Sequence, residues 1–593
     1  MARLYNLARM TVTAGGTGVI TLGPVVTGYL SFADAGVTNG LTISYAINDP
    51  TGGGSEVGTA VYTAVGTTLT RTVTTSTNAN NPINVSLSAQ VVITPDAAAL
   101  NLLYTGTAGY ALIGNGASNS SYQGFVQTGT GAATRAWNAK AADWVSIKDF
   151  GAVGDGTIDD TTAFTNALAA LTGTGGCIFF PPGKYKFTSR VTYTISGTTF
   201  SVALVGSGQD NTILYWPSGS GGLKIAYTSP GHSAHIRDLT FSTGAAAGGT
   251  GLEISQTSFL NAFAQSDFFR LTFRGDDNHG SIGSNYWSNA IIVNGVSGTS
   301  WDTILVYGGS AGVGMDIHGV TASSGYAIYH NISKSIFNSL NTGINIGSYA
   351  QGITLTQSNL QNNSTGLIVN SGLSGDLLQL QIVANQFANT GNNINIASNY
   401  GTVYIADNVI INSGGNSCIL LGTTRWFSIV NNLCHSADAS ANFGIVVGAT
   451  VSGTTGVISG NQINDQDGAA ILMQAGLANT IIANNTINNS SVTIANSSAT
   501  TSNIIINNIG YNPVGVSAAA TMGASPTTVT AGASPETHYV RQSATNTATI
   551  AKGGQQIATL VGTTTYYTIQ LGPGESYVTT WVTTAPTYTK DVH

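Results

Sequence analysis

The chain has 593 residues and a net charge of −7, and only 7% of its residues are charged, against about 25% in ordinary globular proteins. Its 75 glycines are nearly double the usual share of about 7%. That composition excludes a typical helical or α/β enzyme, while 42% apolar residues suffice for a large core and argue against disorder.

At roughly 150 residues per domain the length allows about four domains. The expected class is all-β, extended and repetitive. The 18 Lys and Arg residues are scattered, so no basic stripe marks a nucleic-acid surface. Cys177, Cys418 and Cys434 are too few for a disulfide framework and read as small buried hydrophobes. No segment approaches the ~18 apolar residues of a membrane span, so no membrane insertion is expected. The opening ten residues lack the hydrophobic stretch of a secretory signal. An extracellular-type β composition without such a signal points toward a virus structural protein released by lysis.

Residues 1–100 alternate β-prone runs with Gly and Asn turns. Leu41, Ile43 and Tyr45 alternate between Asn39-Gly40 and Asn48-Asp49-Pro50, and Val91-Val92-Ile93 closes the block as its last strand. This predicts a small β-domain. Residues 101–143, rich in Gly, Ala, Ser and Asn, predict a neck or linker. Phe164, Leu168 and Leu171 then share one face of a capping helix near 159–171. Asp155, Asp159 and Asp160 beside it read as turn and cap residues, with a cation or acid site as the alternative.

The long central section repeats. Asn385, Asn408, Asn432, Asn461, Asn485 and Asn508 form one column, and Phe387, Ile410, Cys434, Ile463 and Ile487 stand two places after its first five members. A second column runs Asn345, Ile368, Asn395, Ile419, Val446 and Ile471. Two columns with one repeat length predict two strands per coil, stacked rung upon rung, with Asn side chains laddered along the turns. The repeat stops after Gly510-Tyr511-Asn512-Pro513, and residues 511–593 predict a separate β-domain.

Residues 144–164, from Trp144-Val145-Ser146-Ile147 to Thr162-Ala163-Phe164, resemble the opening motif of the pectate-lyase-like superfamily. Gly176-Cys177-Ile178-Phe179-Phe180-Pro181-Pro182-Gly183 and Leu204-Val205-Gly206-Ser207-Gly208 resemble the coils that follow it. The resemblance implies a right-handed parallel β-helix over 144–510, as in many bacteriophage tailspikes. Met1-Ala2-Arg3-Leu4-Tyr5-Asn6 and Leu30-Ser31-Phe32-Ala33-Asp34 look like the N-terminal module of phage tail proteins, and Leu571-Gly572-Pro573-Gly574-Glu575 like a terminal β-domain. Together these resemble a tailspike. That implies a homotrimer in the virion tail, attached to a tail or baseplate protein through its N-terminal domain. It also implies action on a bacterial surface polysaccharide (capsule, exopolysaccharide or O-antigen) outside the host cell.

Fold does not fix chemistry, so the site is sought in the columns. Hydrolysis of a glycosidic bond usually needs two carboxyl groups. Extending the second column backward aligns Glu253, Ile292, Asp316 and Asn345, with Leu252, Ile254, Met315 and Ile317 buried and the two acids facing out. With one coil between them they stand about 10 Å apart at roughly 4.8 Å per coil, near the ~6.5–9.5 Å of an inverting pair. Glu253 and Asp316 are therefore the candidate acid and base, with solvated outer-face residues as the plainer alternative. Asp302, beside Trp301, is a reserve member. Tyr286, Trp287, Trp301, Tyr307, Asp276 and Asp277 are candidate sugar-binding residues, because aromatic faces stack on sugars and carboxylates bond their hydroxyls; some of these aromatics must instead fill the core. His279, His318, Tyr326 and Tyr329 lie in the same stretch. Asp438 and Asp467, in successive turns, form a weaker second pair at about 5 Å.

His435 beside Cys434 lacks the further ligands a metal site needs, so neither metal nor cofactor is expected. A lyase would draw on Lys334, Arg270 or Arg274 as its cations. The rival to an enzyme is a non-catalytic receptor-binding adhesin, which needs the aromatics but not the acids.

Overall fold

The computed structural model describes residues 5–94, 124–125, 127–133, 135–141, 143–197, 201–228, 231–256, 265–278, 282–320, 326–370, 379–397, 400–422, 424–448, 455–497, 502–511, 520–532, 535–542, 546–562 and 566–592. They fall into two compact units, Met1–Lys140 and Ala141–His593.

In the first unit six antiparallel strands between Arg9 and Ile93 close a barrel, with Gln90–Ile93 as its last strand. Ile43, Tyr45, Leu69 and Val91 fill it. Inside, the Tyr45 hydroxyl donates to Glu56 Oε1 at 2.7 Å, and Arg71 pairs with the same carboxylate. A buried charge is tolerable only when so partnered.

The second unit opens where the sequence motif lies. Ser146 and Asp149 exchange capping bonds around the turn Ile147–Phe150. The buried Asp160 carboxylate accepts from the backbone N–H groups of Val153 and Gly154 at 2.7 and 3.1 Å. Asp155 and Asp159 likewise accept from local backbone N–H groups. These acids hold turns, as the turn reading expects; Asp160 stands at the helix N-cap but its side chain makes no cap bond there. The helix Thr161–Ala170 packs Phe164 and Leu168 on the first coils.

From there the chain winds as a parallel β-helix. A twelve-stranded sheet forms one face, and a 24-stranded sheet folds around the other two. Most coils therefore have three strands rather than the two expected. In one coil these are Tyr400–Ala406, Val409–Asn412 and Ser417–Leu421; we call their positions the first, second and third faces. The first and second strands are separated by a bend whose residue is left-handed in every coil from Asp238, Arg270, Thr303 and Lys334 to Asn484 and Asn507. A strand on each side of so tight a bend reads in the sequence as one.

The Asn column follows directly after that bend and is buried. The Asn385 backbone N–H and side-chain amide both donate to Asn408 Oδ1, at 2.9 and 3.1 Å. The same bond pair recurs from Asn408 to Asn432, Asn461, Asn485 and Asn508. Ser335 and Ser358 continue the ladder toward the N-terminal coils. Buried amides are stable here because each donor and acceptor finds its equivalent one rung away.

The inward column Phe387–Ile410–Cys434–Ile463–Ile487 stacks in register as expected. The third-face column needs a correction: Asn395 pairs with Leu420, and Val446 with Leu472, so Ile419 and Ile471 point inward. Those strands are apolar at consecutive positions, and alternation gives no register there. Past the helix, two four-stranded antiparallel sheets between Ala520 and Val592 enclose a separate core around Val540, Ile550 and Tyr577.

Candidate active site

The acids and aromatics singled out in the sequence lie on different faces. Glu253 and Asp316 do share an outward row on the third face with one rung, Ile292, between them. Glu253, however, is engaged on both oxygens: Arg190 Nη2 lies 2.5 Å from Oε2 and Lys224 Nζ 2.7 Å from Oε1. Burial raises its pKa, but the hydrogen bonds and charges of Lys224 and Arg190 outweigh that and hold it below the ordinary Glu value. A carboxylate held ionised between two cations cannot donate a proton, so of the two roles open to Glu253, acid or base, that of acid is excluded, and both its oxygens are already engaged in ion pairs. Asp316 accepts from Asn345 Nδ2 at 2.8 Å and faces His318 at 3.4 Å.

Two aromatics are also corrected. Trp301 and Trp287 are 0% and 2% exposed and present no ring to a ligand. Trp301 stacks on Phe268, and the Trp287 indole N–H donates to the Phe241 carbonyl at 3.1 Å. Tyr286 is half-buried beside Gly309 and Gly312. Asp277 pins its own loop by accepting from the Ser284 N–H and hydroxyl and the Asn285 N–H. Asp438 likewise accepts from Gly414, Ser440 and Asn442. His279 lies outside the described residues.

Tyr307 faces a groove of about 460 Å³ on the second face, lined also by Asp210, Thr272, Arg274, Asn278 and Asn338. Arg274 is nearly buried and donates to Asp210 Oδ1 at 3.0 Å. On the same face Asp276 pairs with Lys184 at 2.7 Å, and the Lys184 ammonium lies 3.9 Å above the Tyr215 ring.

The richest constellation stands on the first face, the strand column that sequence spacing missed. Here outward positions of neighbouring rungs carry His235 and Asp267, joined at 3.1 Å. The next outward row runs Arg237, Phe269, Asp302 and Ser333. Phe269 is 37% exposed, and the Arg270 guanidinium covers it at 4.6 Å while pairing with Asp238 at 2.6 Å. Asp302 accepts from Thr303 Oγ1 at 2.6 Å, Ser333 Oγ at 2.8 Å and Lys334 Nζ at 3.0 Å. Burial pushes its pKa up, but these donors outweigh it and hold the carboxyl below the usual Asp value. Asp267 lies one rung and two residues from Asp302, a Cα separation of about 8 Å from roughly 4.8 Å per rung and 3.3 Å per residue.

Beneath that face lies an internal polar network. The Trp301 indole N–H donates to Thr299 Oγ1 at 2.8 Å, and Thr299 Oγ1 bonds His330 Nδ1 at 2.7 Å. His330 is fully buried, its Nε2 has no partner among the described residues, and burial lowers its pKa to about 4. The unfolded chain binds this proton near pH 6.5, so stability from a neutral His330 is complete above that pH and fades as pH falls to about 4. The full loss is about 3 kcal/mol. Thermal melts between pH 7 and 4 should show this fall in the native protein and a smaller one in His330→Gln; equal slopes would exclude it.

Residues 144–369 match the family described as rhamnogalacturonase A/epimerase, pectate lyase-like. That span is similar to a pectate-lyase-like domain, and the coiled parallel sheets give the fold, a parallel β-helix. A 103-residue stretch is 32% identical to mannuronan C5-epimerase AlgE3 of Azotobacter vinelandii, covering 16% of this chain and 6% of that protein. The chain spans only 6–12% of the length of the curated relatives it matches. Among solved structures it is similar to tailspike protein 3 of bacteriophage CBA120, at 15% identity and TM-score 0.47 over 74% of this chain and 73% of that one. It is also similar to the Dettilon tailspike protein, at 13% identity and TM-score 0.40 over 77% of this chain and 95% of that one.

Proposed function

We propose that the protein is a phage tailspike that binds a bacterial surface polysaccharide and hydrolyses it. The carrying observation is the first-face pair of Asp267 and Asp302, outward on adjacent rungs with Cα atoms about 8 Å apart, a spacing from which the two carboxyl groups can reach the ~6.5–9.5 Å separation of an inverting pair. Asp302, kept ionised by its donors, takes a proton from water as the water oxygen attacks the anomeric carbon. The Asp267 carboxyl, its Oδ2 beside His235 Nδ1, gives a proton to the glycosidic oxygen as the bond from that oxygen to the anomeric carbon breaks. Phe269, on the strand of Asp267 and opposite Asp302, offers the sugar the part of its ring that the Arg270 guanidinium leaves uncovered. The flanking sequence resemblances support a homotrimer carried on the virion tail through the N-terminal barrel.

A second reading, a pure adhesin, is favoured by the groove around Arg274 and Tyr307, which offers polar recognition on another face. The test is incubation with a panel of purified capsules, exopolysaccharides and O-antigens, followed by size exclusion and reducing-end assay. Shortened chains with new reducing ends are expected. Binding without shortening makes the protein an adhesin, and ultraviolet-absorbing unsaturated products make it a lyase.

A further inference from the structure

The outward row of the first face changes character along the helix. From His235 and Asp267 it continues through Ser300, Asn331, Thr354 and Gln381, all polar, to Tyr404. Tyr404 is 39% exposed, and Trp426, on the next rung, is 37% exposed. The Arg425 guanidinium lies 5.0 Å from the Trp426 ring centre. The two rings flank a groove of about 450 Å³ whose other walls include Thr402, Ser428, Thr455 and Asn479. Tyr329, at a left-handed position between the two ends, is 61% exposed.

Five rungs separate Asp302 from Trp426, through Ser333, Thr356, Val383, Ala406 and Val430. At roughly 4.8 Å per rung the two ends lie about 24 Å apart along the helix axis, with Trp426 four residues to the side of the Asp302 row. Amide and hydroxyl side chains one rung apart offer a repeated set of donors and acceptors, and two exposed rings end it. That combination fits an extended chain of hydroxyl-rich rings. It fits a compact ligand poorly, since such a ligand would need one closed pocket.

We infer that the first face is a track for an extended polysaccharide: the chain runs along the helix axis, is cut at the Asp267–Asp302 end and is gripped at Tyr404 and Trp426. This rests on the function proposed above and adds where the uncut polymer is held. The enzyme should therefore prefer long chains, because short fragments occupy the cutting end without reaching the rings.

The test uses the full chain, the native protein and the double variant Tyr404→Ala/Trp426→Ala. The probes are the purified capsules, exopolysaccharides and O-antigens of the panel, immobilised as polymers, and the short fragments cut from them by mild acid. The variant should bind polymer on the order of 10-fold more weakly, as loss of two stacked rings predicts, and its KM for polymer should rise while kcat stays unchanged. Cleavage of short fragments should match the native protein. Equal polymer binding by variant and native protein would overturn the track while leaving the proposed function standing. Failure of the native protein to bind any of these glycans would overturn both. Light scattering of the same pair keeps the rival occupant, a second copy of this chain, in view. An unchanged particle mass is expected, and a smaller mass for the variant would make the rings a subunit contact and sink the track.

Discussion

Ile410→Asp is expected to prevent the protein from folding. Ile410 is fully buried, stacked between Phe387 and Cys434 in the inward column of the second face. A carboxylate there would face Phe387 and Cys434 inside the core rather than a cation, and burying an unpaired charge costs several kcal/mol even after relaxation. The change also removes the sec-butyl group that fills the core, at about 2–5 kcal/mol. Set against a typical net stability of about 5–15 kcal/mol, the sum consumes most of it. A solenoid coil is stabilised only by its neighbours, so the damage falls in the middle of the stack and cannot be confined to an end. Ile411→Asp is the control, because Ile411 lies on the outward row with Ala388 and His435. It should be expressed and melt within a few degrees of the native protein. The check is soluble yield and thermal denaturation of both variants; a normal melt for Ile410→Asp would mean that the register is wrong.

That contrast between adjacent isoleucines shows what spacing makes legible. The Asn column at 385, 408, 432, 461, 485 and 508 was readable because its residues do one job at one place, bonding the next rung directly after each bend. An equally regular column, Ile382, Ile405, Ile429, Ile458, Ile482 and Ile505, sits three residues before it and marks the first face. It was available in the sequence but merges with the second strand, since a single left-handed residue and no loop divides them. Missing that strand meant missing the face on which His235, Asp267, Phe269 and Asp302 converge. Asp302 was singled out for its neighbour Trp301, yet alternation sends the two to opposite sides of the sheet. The row holding Glu253 and Asp316 was read correctly, but its electrostatics were not. Arg190 and Lys224 reach Glu253 from elsewhere in the winding, and only the folded coils bring those charges together.

Asp302→Asn should separate catalysis from binding. The substitution keeps the shape of the side chain and an oxygen able to accept from Ser333 and Thr303, while removing the charge proposed to take the proton from water. Loss of a positioned general base typically costs ~10²–10⁴-fold in rate. We therefore expect kcat to fall by that factor with polymer affinity nearly unchanged. The acid limb of the proposed cleavage by the native protein should lie below the ordinary Asp range, because the donors around Asp302 lower its pKa. Lys334→Met removes one of those donors, and its acid limb should move upward. Glu253→Gln separates this site from the third-face pair: it leaves Arg190 and Lys224 without their shared carboxylate, so it should lower the melting temperature and leave the cleavage rate intact. Stopped-time reducing-end assays across pH, with binding measured in parallel, distinguish these outcomes. Full activity in Asp302→Asn together with an inactive but stable Glu253→Gln would move the chemistry to the third face.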